Sequence, residues 1–147
     1  MAGAAGLTAR PRVVRARGRL SSLEPEEPVA ATMKRLFGGR PLQDAGRIVA
    51  LDLPLIAENG AQVTMAVEVQ SPMTEQNFVR HIYIIADRNR RPLNARFTLT
   101  PGMGQAFVGA TLRLGESTEV RAIAELSDGT LLMARREVKV TVGGCGG

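Results

Sequence analysis

Gln62-Val63-Thr64-Met65-Ala66-Val67-Glu68-Val69-Gln70 puts Val63, Met65, Val67 and Val69 on one side and Thr64 and Glu68 on the other. A period of two with β-branched apolar residues is the pattern of a strand with one buried and one wet face. The same period recurs at 48–53, 79–86, 96–100, 106–114, 118–126 and 131–142. Turn formers separate these runs: Glu58-Asn59-Gly60, the segment from Asp87 to Pro92, Pro101-Gly102-Met103-Gly104, Gly115-Glu116-Ser117 and Ser127-Asp128-Gly129-Thr130. Asp128-Gly129 offers the positive φ angles that a two-residue hairpin needs. Seven strands with regular turns and no helical period among them predict an all-β, immunoglobulin-like antiparallel sandwich, without the disulfide and core tryptophan of antibody domains.

Upstream of the strands the pattern changes. Glu26-Glu27-Pro28 precedes Val-Ala-Ala-Thr-Met-Lys-Arg-Leu-Phe, which predicts a short helix over 27–37, with Val29, Met33 and Leu36 on one docking face. Pro28 suits its first turn, Glu26 and Glu27 its positive end, Lys34 and Arg35 its negative end, and Gly38 a left-handed stop. Phe37-Gly38-Gly39-Arg40 lacks the Gly-Lys-Ser/Thr ending of a phosphate loop, so helix termination is the better reading. Residues 1–25 are small and polar without a period and read as a disordered basic tail. The chain thus divides into that tail, a helix-plus-sandwich domain over 26–142, and a flexible arm over 143–147.

Composition bounds the function. In 147 residues, 44% are hydrophobic and 3% aromatic, with no tryptophan, so a single core of Val, Ile, Leu, Ala and Met is expected. The net charge of +5 resides wholly in the tail: Arg10, Arg12, Arg15, Arg17 and Arg19 meet no acid, while the rest carries fourteen basic and fourteen acidic side chains. A neutral body poor in aromatics argues against a nucleic-acid partner. No apolar run is long enough to span a membrane, and the arginine-rich start has no apolar stretch of the export-signal kind. One cysteine, Cys145, and one histidine, His81, can form neither an intrachain disulfide nor a zinc or haem-attachment site, so no cofactor is expected on this chain. His81 reads as a core or interface residue beside Val79, Tyr83 and Ile85 on one strand face. Asp87 to Pro92, with Arg88, Arg90 and Arg91, reads as a solvated loop that could steer anions or an acidic partner.

The end of the chain is Val-Lys-Val-Thr-Val-Gly-Gly-Cys-Gly-Gly. Val138, Val140 and Val142 predict a strand with one buried face, which anchors the segment beyond it. Cys145 lies between Gly143-Gly144 and Gly146-Gly147, residues that add freedom and no bulk. The last seven residues hold no lysine, arginine or histidine, and an unassisted thiol with a pKa of about 8.5 is mostly protonated at neutral pH. Such a thiol is a poor nucleophile on its own and a convenient handle for other active sites. Composition leaves three readings standing: an accidental cysteine on a frayed end, an interchain disulfide in a pure interaction module, and a carrier or redox handle.

The C-terminal decapeptide resembles that of the SoxY family, carriers of the bacterial thiosulfate-oxidising Sox system. So do 53–63 (Leu-Pro-Leu-Ile-Ala-Glu-Asn-Gly-Ala-Gln-Val), Ala86-Asp87-Arg88-Asn89 and 122–129 (Ala-Ile-Ala-Glu-Leu-Ser-Asp-Gly), so that the likeness spans Met33 to Gly147. The resemblance implies an immunoglobulin-like sandwich paired with a smaller β-sandwich subunit, SoxZ. It also implies that Cys145 holds sulfur intermediates covalently on a swinging arm made of Gly143, Gly144, Gly146 and Gly147. A haem protein, SoxAX, would join thiosulfate to the thiol, a manganese-dependent hydrolase, SoxB, would release sulfate, and in many organisms a sulfane dehydrogenase would oxidise the remaining sulfur. The chain would be a carrier, not an enzyme, and periplasmic like those partners. A ubiquitin-like carrier holding sulfur on the terminal carboxylate of Gly147 would need a helix crossing a mixed sheet, and 62–142 show no helical period.

Overall fold

A computed structural model describes residues 24–143. Helix α1 (Val29–Phe37) is followed by β1 (Leu42–Asp44), β2 (Val49–Asp52), β3 (Ile56–Ala57), β4 (Val63–Val69), β5 (Val79–Ala86) and β6 (Leu93–Thr98). A 3-10 turn (Pro101–Met103) then leads to β7 (Ala106–Leu112), β8 (Thr118–Leu126) and β9 (Leu131–Val140). The larger sheet runs β1-β9-β8-β5-β6, with β3 also on β9, and the smaller runs β2-β4-β7. Two sheets with a core between them make the expected sandwich. Its main pairings are antiparallel, but β1 and β3 lie parallel to β9.

Strand β4 behaves as its alternation requires: Val63, Met65, Val67 and Val69 are all buried between the sheets. Full burial of such side chains contributes at most about 1.5–3 kcal/mol each before chain entropy is set against it. Strand β5 is buried on both faces. Ile82, Ile84 and Ala86 enter the main core, while Tyr83 and Ile85 join a second buried cluster with Phe37, Leu93, Ile123, Leu131 and Met133. The single expected core is therefore two clusters, because α1 covers the outer face of the larger sheet through Val29, Met33, Leu36 and Phe37. Tyr83 and Phe37 meet edge to face with centroids 5.0 Å apart.

Several details correct the sequence reading. The helix starts at Val29, not 27, with Pro28 extended at its cap and no acid in its first turn. Glu27 instead accepts hydrogen bonds from Thr32 Oγ1 at 2.9 Å and from Arg35 Nε and Nη2 at 2.9 and 2.7 Å, and the Arg35 bonds lower its pKa. Gly38 does stop the helix with positive φ, 61°, but its ψ of −134° lies outside the left-handed helical region. Val79 does not share His81's face: a bulge between them turns Val79 into the main core. At Asp128-Gly129 only the glycine has positive φ, 88°, so the connection is longer than a two-residue turn and closes by Leu126 N–H donating to Thr130 at 2.9 Å. Strand β9 ends at Val140, and Val142, expected on the buried face, is 63% exposed.

Candidate functional site

Residues 1–23, most of the expected tail, and 144–147, including Gly144, Cys145, Gly146 and Gly147, lie outside the described residues. The described part is the platform from which the cysteine segment departs. At the end of β9, backbone groups of residues 55–60 hold the chain on one side and a serine hydroxyl holds it on the other. On one side Leu55 accepts from Lys139 N–H at 2.9 Å, Ala57 accepts from Thr141 N–H at 3.0 Å, and Gly60 N–H donates to the Val142 carbonyl at 2.9 Å. On the other side the Ser117 hydroxyl accepts from Val140 N–H at 2.9 Å and lies 3.4 Å from the Val140 carbonyl.

Gly60 ties these sides together, since its own carbonyl accepts from Leu114 N–H at 2.7 Å. Asn59 shapes the turn that presents it: its Oδ1 accepts from Ala61 N–H at 3.0 Å, an Asx turn. The clamp closes on Gly143. A Cβ built there would collide with the Gly115 carbonyl oxygen, so no larger residue fits without moving backbone. The sequence reads Gly143 as the first link of a flexible arm; in the fold it is the residue that lets the chain pass against the β7–β8 turn.

The residues that make this platform, Leu55 to Gly60 and Gly115 to Ser117, carry no site motif in the sequence. The signal available was the family likeness over 53–63, which now has a structural meaning: that stretch supplies β3 and one jaw of the clamp. An open depression of about 650 Å³ lies beside it, lined by Pro54, Ile56, Glu58, Asn59, Gln62 and Thr64 among others.

His81 lies elsewhere, on the helix-covered face of the larger sheet. Its Nδ1 is 3.1 Å from Thr98 Oγ1, and its Nε2 is 4.0 Å from Glu125 Oε1. Glu125 is buried and paired with Arg40 Nη1 at 2.7 Å; Arg40 also donates to the Phe37 and Gly129 carbonyls. Burial pushes the His81 pKa down, helped by Arg96 and Arg80 and opposed by Glu125. It is thus half-buried on its strand, within hydrogen-bond distance of Thr98. Among the described residues no three His, Cys, Asp or Glu side chains gather where they could hold a metal ion.

The segment from Asp87 to Pro92 is less solvated than expected. Arg121 holds Asp87 through two contacts of 2.7 and 2.8 Å. Asn89, 6% exposed, donates to the Arg113 carbonyl and accepts from Gly115 N–H. Arg90 and Arg91 pair with Glu26, and Arg91 donates to the Glu24 carbonyl. Two of its three arginines thus pair with the segment before α1 through exposed contacts.

Fold and platform together define a class: a small β-sandwich whose last strand delivers a short C-terminal segment at a braced end. The family model for the sulfur oxidation protein SoxY matches residues 33–145, and the chain belongs to that family. The sulfur carrier protein SoxY from Chlorobium limicola f thiosulfatophilum superposes with a TM-score of 0.64 at 29% identity, covering 78% of this chain and 96% of that one. A superoxide reductase (neelaredoxin) from Ignicoccus hospitalis aligns at 26% identity and TM-score 0.55, covering 63% and 79% of the two chains. A putative superoxide reductase from Thermotoga maritima aligns at 15% identity and TM-score 0.56, covering 69% and 93%, a likeness of fold alone. No curated protein matches the chain.

Proposed function

We propose that this chain is a sulfur carrier of thiosulfate oxidation, with Cys145 as the covalent attachment point, and that it performs no catalytic step itself. The observation that carries this reading is the family match, which runs to Cys145 and ends there. The braced platform supports it, because a carrier needs a fixed origin for a short reach. An unassisted thiol suits a carrier too, since a strongly activated one would react with any oxidant or disulfide it met.

The chemistry assigns each step to a partner. Joining the Cys145 thiol to the outer sulfur of thiosulfate forms an S–S bond, releases the thiol proton and gives up two electrons, which a SoxAX-like haem protein takes. Hydrolysis of the terminal S–S bond by a SoxB-like hydrolase adds water, releases sulfate with two protons, and leaves a persulfide anion on Cys145. A sulfane dehydrogenase, where present, oxidises that outer sulfur. Gly143, Gly144, Gly146 and Gly147 leave the adduct unshielded by side chains, a SoxZ-like subunit completes the carrier, and the compartment is the periplasm shared with these partners.

Intact-protein mass spectrometry after incubation with thiosulfate and the thiosulfate-oxidising enzymes tests the assignment. The wild type is expected to gain sulfur adducts and Cys145→Ser to gain none. Adducts that persist in the serine variant would end the proposal.

A further inference from the structure

We propose that Asn59-Gly60 is a site of covalent self-modification, which closes to a succinimide and opens to isoaspartate only when the end of β9 releases the Gly60 amide. The proposal goes beyond the carrier reading and does not depend on it, because no step involves Cys145.

An asparagine side chain is open to attack by the main-chain nitrogen that follows it. Here the Gly60 nitrogen forms a bond to Asn59 Cγ while the bond from Cγ to the side-chain nitrogen breaks, and ammonia leaves carrying the Gly60 proton. Water then adds to one of the two imide carbonyls, giving aspartate or isoaspartate, in which the main chain runs through the former side chain. No oxidant or reductant takes part. Ring closure needs a following residue without bulk and with a free choice of backbone angles, which is glycine. Of the four asparagines in the chain only Asn59 has one; Asn77, Asn89 and Asn94 precede Phe78, Arg90 and Ala95. Asn89 and Asn94 are also buried, with both ends of their amides bonded to the backbone of 113–115. Asn59 is exposed to the water the reaction consumes.

The fold holds the reacting atoms apart. Gly60 is buried, its N–H donates to the Val142 carbonyl at 2.9 Å, and its carbonyl accepts from Leu114 N–H at 2.7 Å. Asn59 Oδ1 accepts from Ala61 N–H at 3.0 Å, and the Asn59 carbonyl accepts from Gln62 N–H at 3.2 Å. Bringing the Gly60 nitrogen onto Asn59 Cγ means giving up the bond to Val142 and the one from Ala61.

The bond to Val142 is the gate. It lies past Val140, the last residue of β9, where strand pairing has ended. Such ends open locally at far less free energy than the core does. The clamp on β9 therefore also protects Asn59, and the rate of reaction counts how often that clamp opens. The product acts back on the clamp: isoaspartate lengthens the main chain between β3 and β4 by one carbon, so Gly60 no longer meets Val142 and Leu114 in the same register.

The test incubates the full chain and a free peptide spanning 55–64 in mildly alkaline buffer. Isoaspartate is counted with protein isoaspartate methyltransferase and placed by peptide mapping. The peptide, which has no clamp, is expected to react faster than the folded chain by roughly tenfold or more. Thr141→Pro removes the N–H that Ala57 accepts at 3.0 Å, beside the gate, and should react several-fold faster than wild type at position 59. If that variant fails to fold, Gly143→Ala, whose Cβ meets the Gly115 carbonyl, should show the same direction. Arg40→Ala weakens the fold away from the gate and should react at the wild-type rate.

Equal rates in the peptide and the folded chain overturn the proposal, because the clamp then protects nothing. So does a gate variant no faster than wild type. Equal acceleration in Arg40→Ala overturns it too, since opening would then be global unfolding. Isoaspartate that forms in the peptide at no measurable rate, or in the protein at another asparagine, removes the site itself.

Discussion

Both ends of β9 are held by main-chain pairing, to β1 and β8 near Leu131 and to residues 55–60 near Val140, but they differ in the side chains around that pairing. Near Leu131 the strand lies beside a polar cluster made of side chains: Arg40 against Glu125, His81 against Thr98, and Arg40 reaching the Gly129 carbonyl. Near Val140 it is held by main-chain groups of Leu55, Ala57 and Gly60, with one serine hydroxyl, and the side chains of Leu55, Ile56 and Val142 are left facing outward. Side-chain staples depend on charge and therefore on pH. Main-chain clamps do not, and they leave the outer surface free for contact. The end that leads toward Cys145 lacks such a charged side-chain cluster among the described residues, so the path of the chain there is expected to be separable from the electrostatics around Arg40 and Glu125.

The comparison breaks if the staple end matters for carrier function. Arg40→Ala leaves Glu125, with 9% of its side chain exposed, without its cation, and should lower stability by about 2 kcal/mol, less than a fully buried pair because water reaches the Arg40 side. Chemical denaturation measures the loss. Loading of Cys145 at a temperature where the variant is folded should match the wild type, and a parallel fall in loading would show that the two ends are coupled.

The fold was largely legible in the sequence because alternation is a local signal, and β4 shows it without interruption. The failures share a cause in contacts distant along the chain. Strands β1 and β3 are three and two residues long and exist only because β9 lies beside them, so no period marks them. The strand expected at 96–100 leaves out Leu93 and Asn94, which come directly after the turn-forming Pro92, yet both belong to β6, and Asn94 is buried and donates to the Arg113 carbonyl. The site divides in the same way. Cys145 and its glycines stand out in the sequence because composition alone marks them. The platform does not, since apart from the Ser117 hydroxyl and the Asn59 side chain it is built from backbone groups of 55–60, 114–115 and 139–143, and amide identity carries no residue-specific code.

The clamp end is sharpened by a methyl group. Gly143→Ala places a Cβ into the Gly115 carbonyl and must displace one of two backbones, at a cost of about 1 kcal/mol if the end of the strand yields. The stability change is smaller than for Arg40→Ala, but the functional change should be larger. The exit path tilts, and enzyme loading should fall several-fold while iodoacetamide still reaches the thiol. Gly144→Ala serves as the comparison for arm flexibility alone. If the two alanine variants load alike, Gly143 matters only as a flexible link and its close fit against Gly115 does not contribute.

The smallest effect concerns pH and belongs to the staple end alone. Burial and the nearby Arg96 and Arg80 hold the His81 pKa below its ordinary 6.5, against the pull of Glu125. The folded state therefore binds fewer protons than the unfolded chain as pH falls past 6.5, so stability present above that pH is lost on the way down to the folded value. His81→Gln keeps a polar contact for Thr98 and removes the titration, and its denaturation midpoint should stay flat where the wild type declines. Below about pH 4.5 both should fall together, because Glu27 then takes up a proton in the unfolded chain while its Arg35 and Thr32 bonds keep it ionised in the folded one. Loading of Cys145 measured across the same interval should be alike in the two proteins. A His81-dependent change in loading would mean that protonation at the start of β9 is felt at its end, and that the braced platform moves with the sheet rather than standing apart from it.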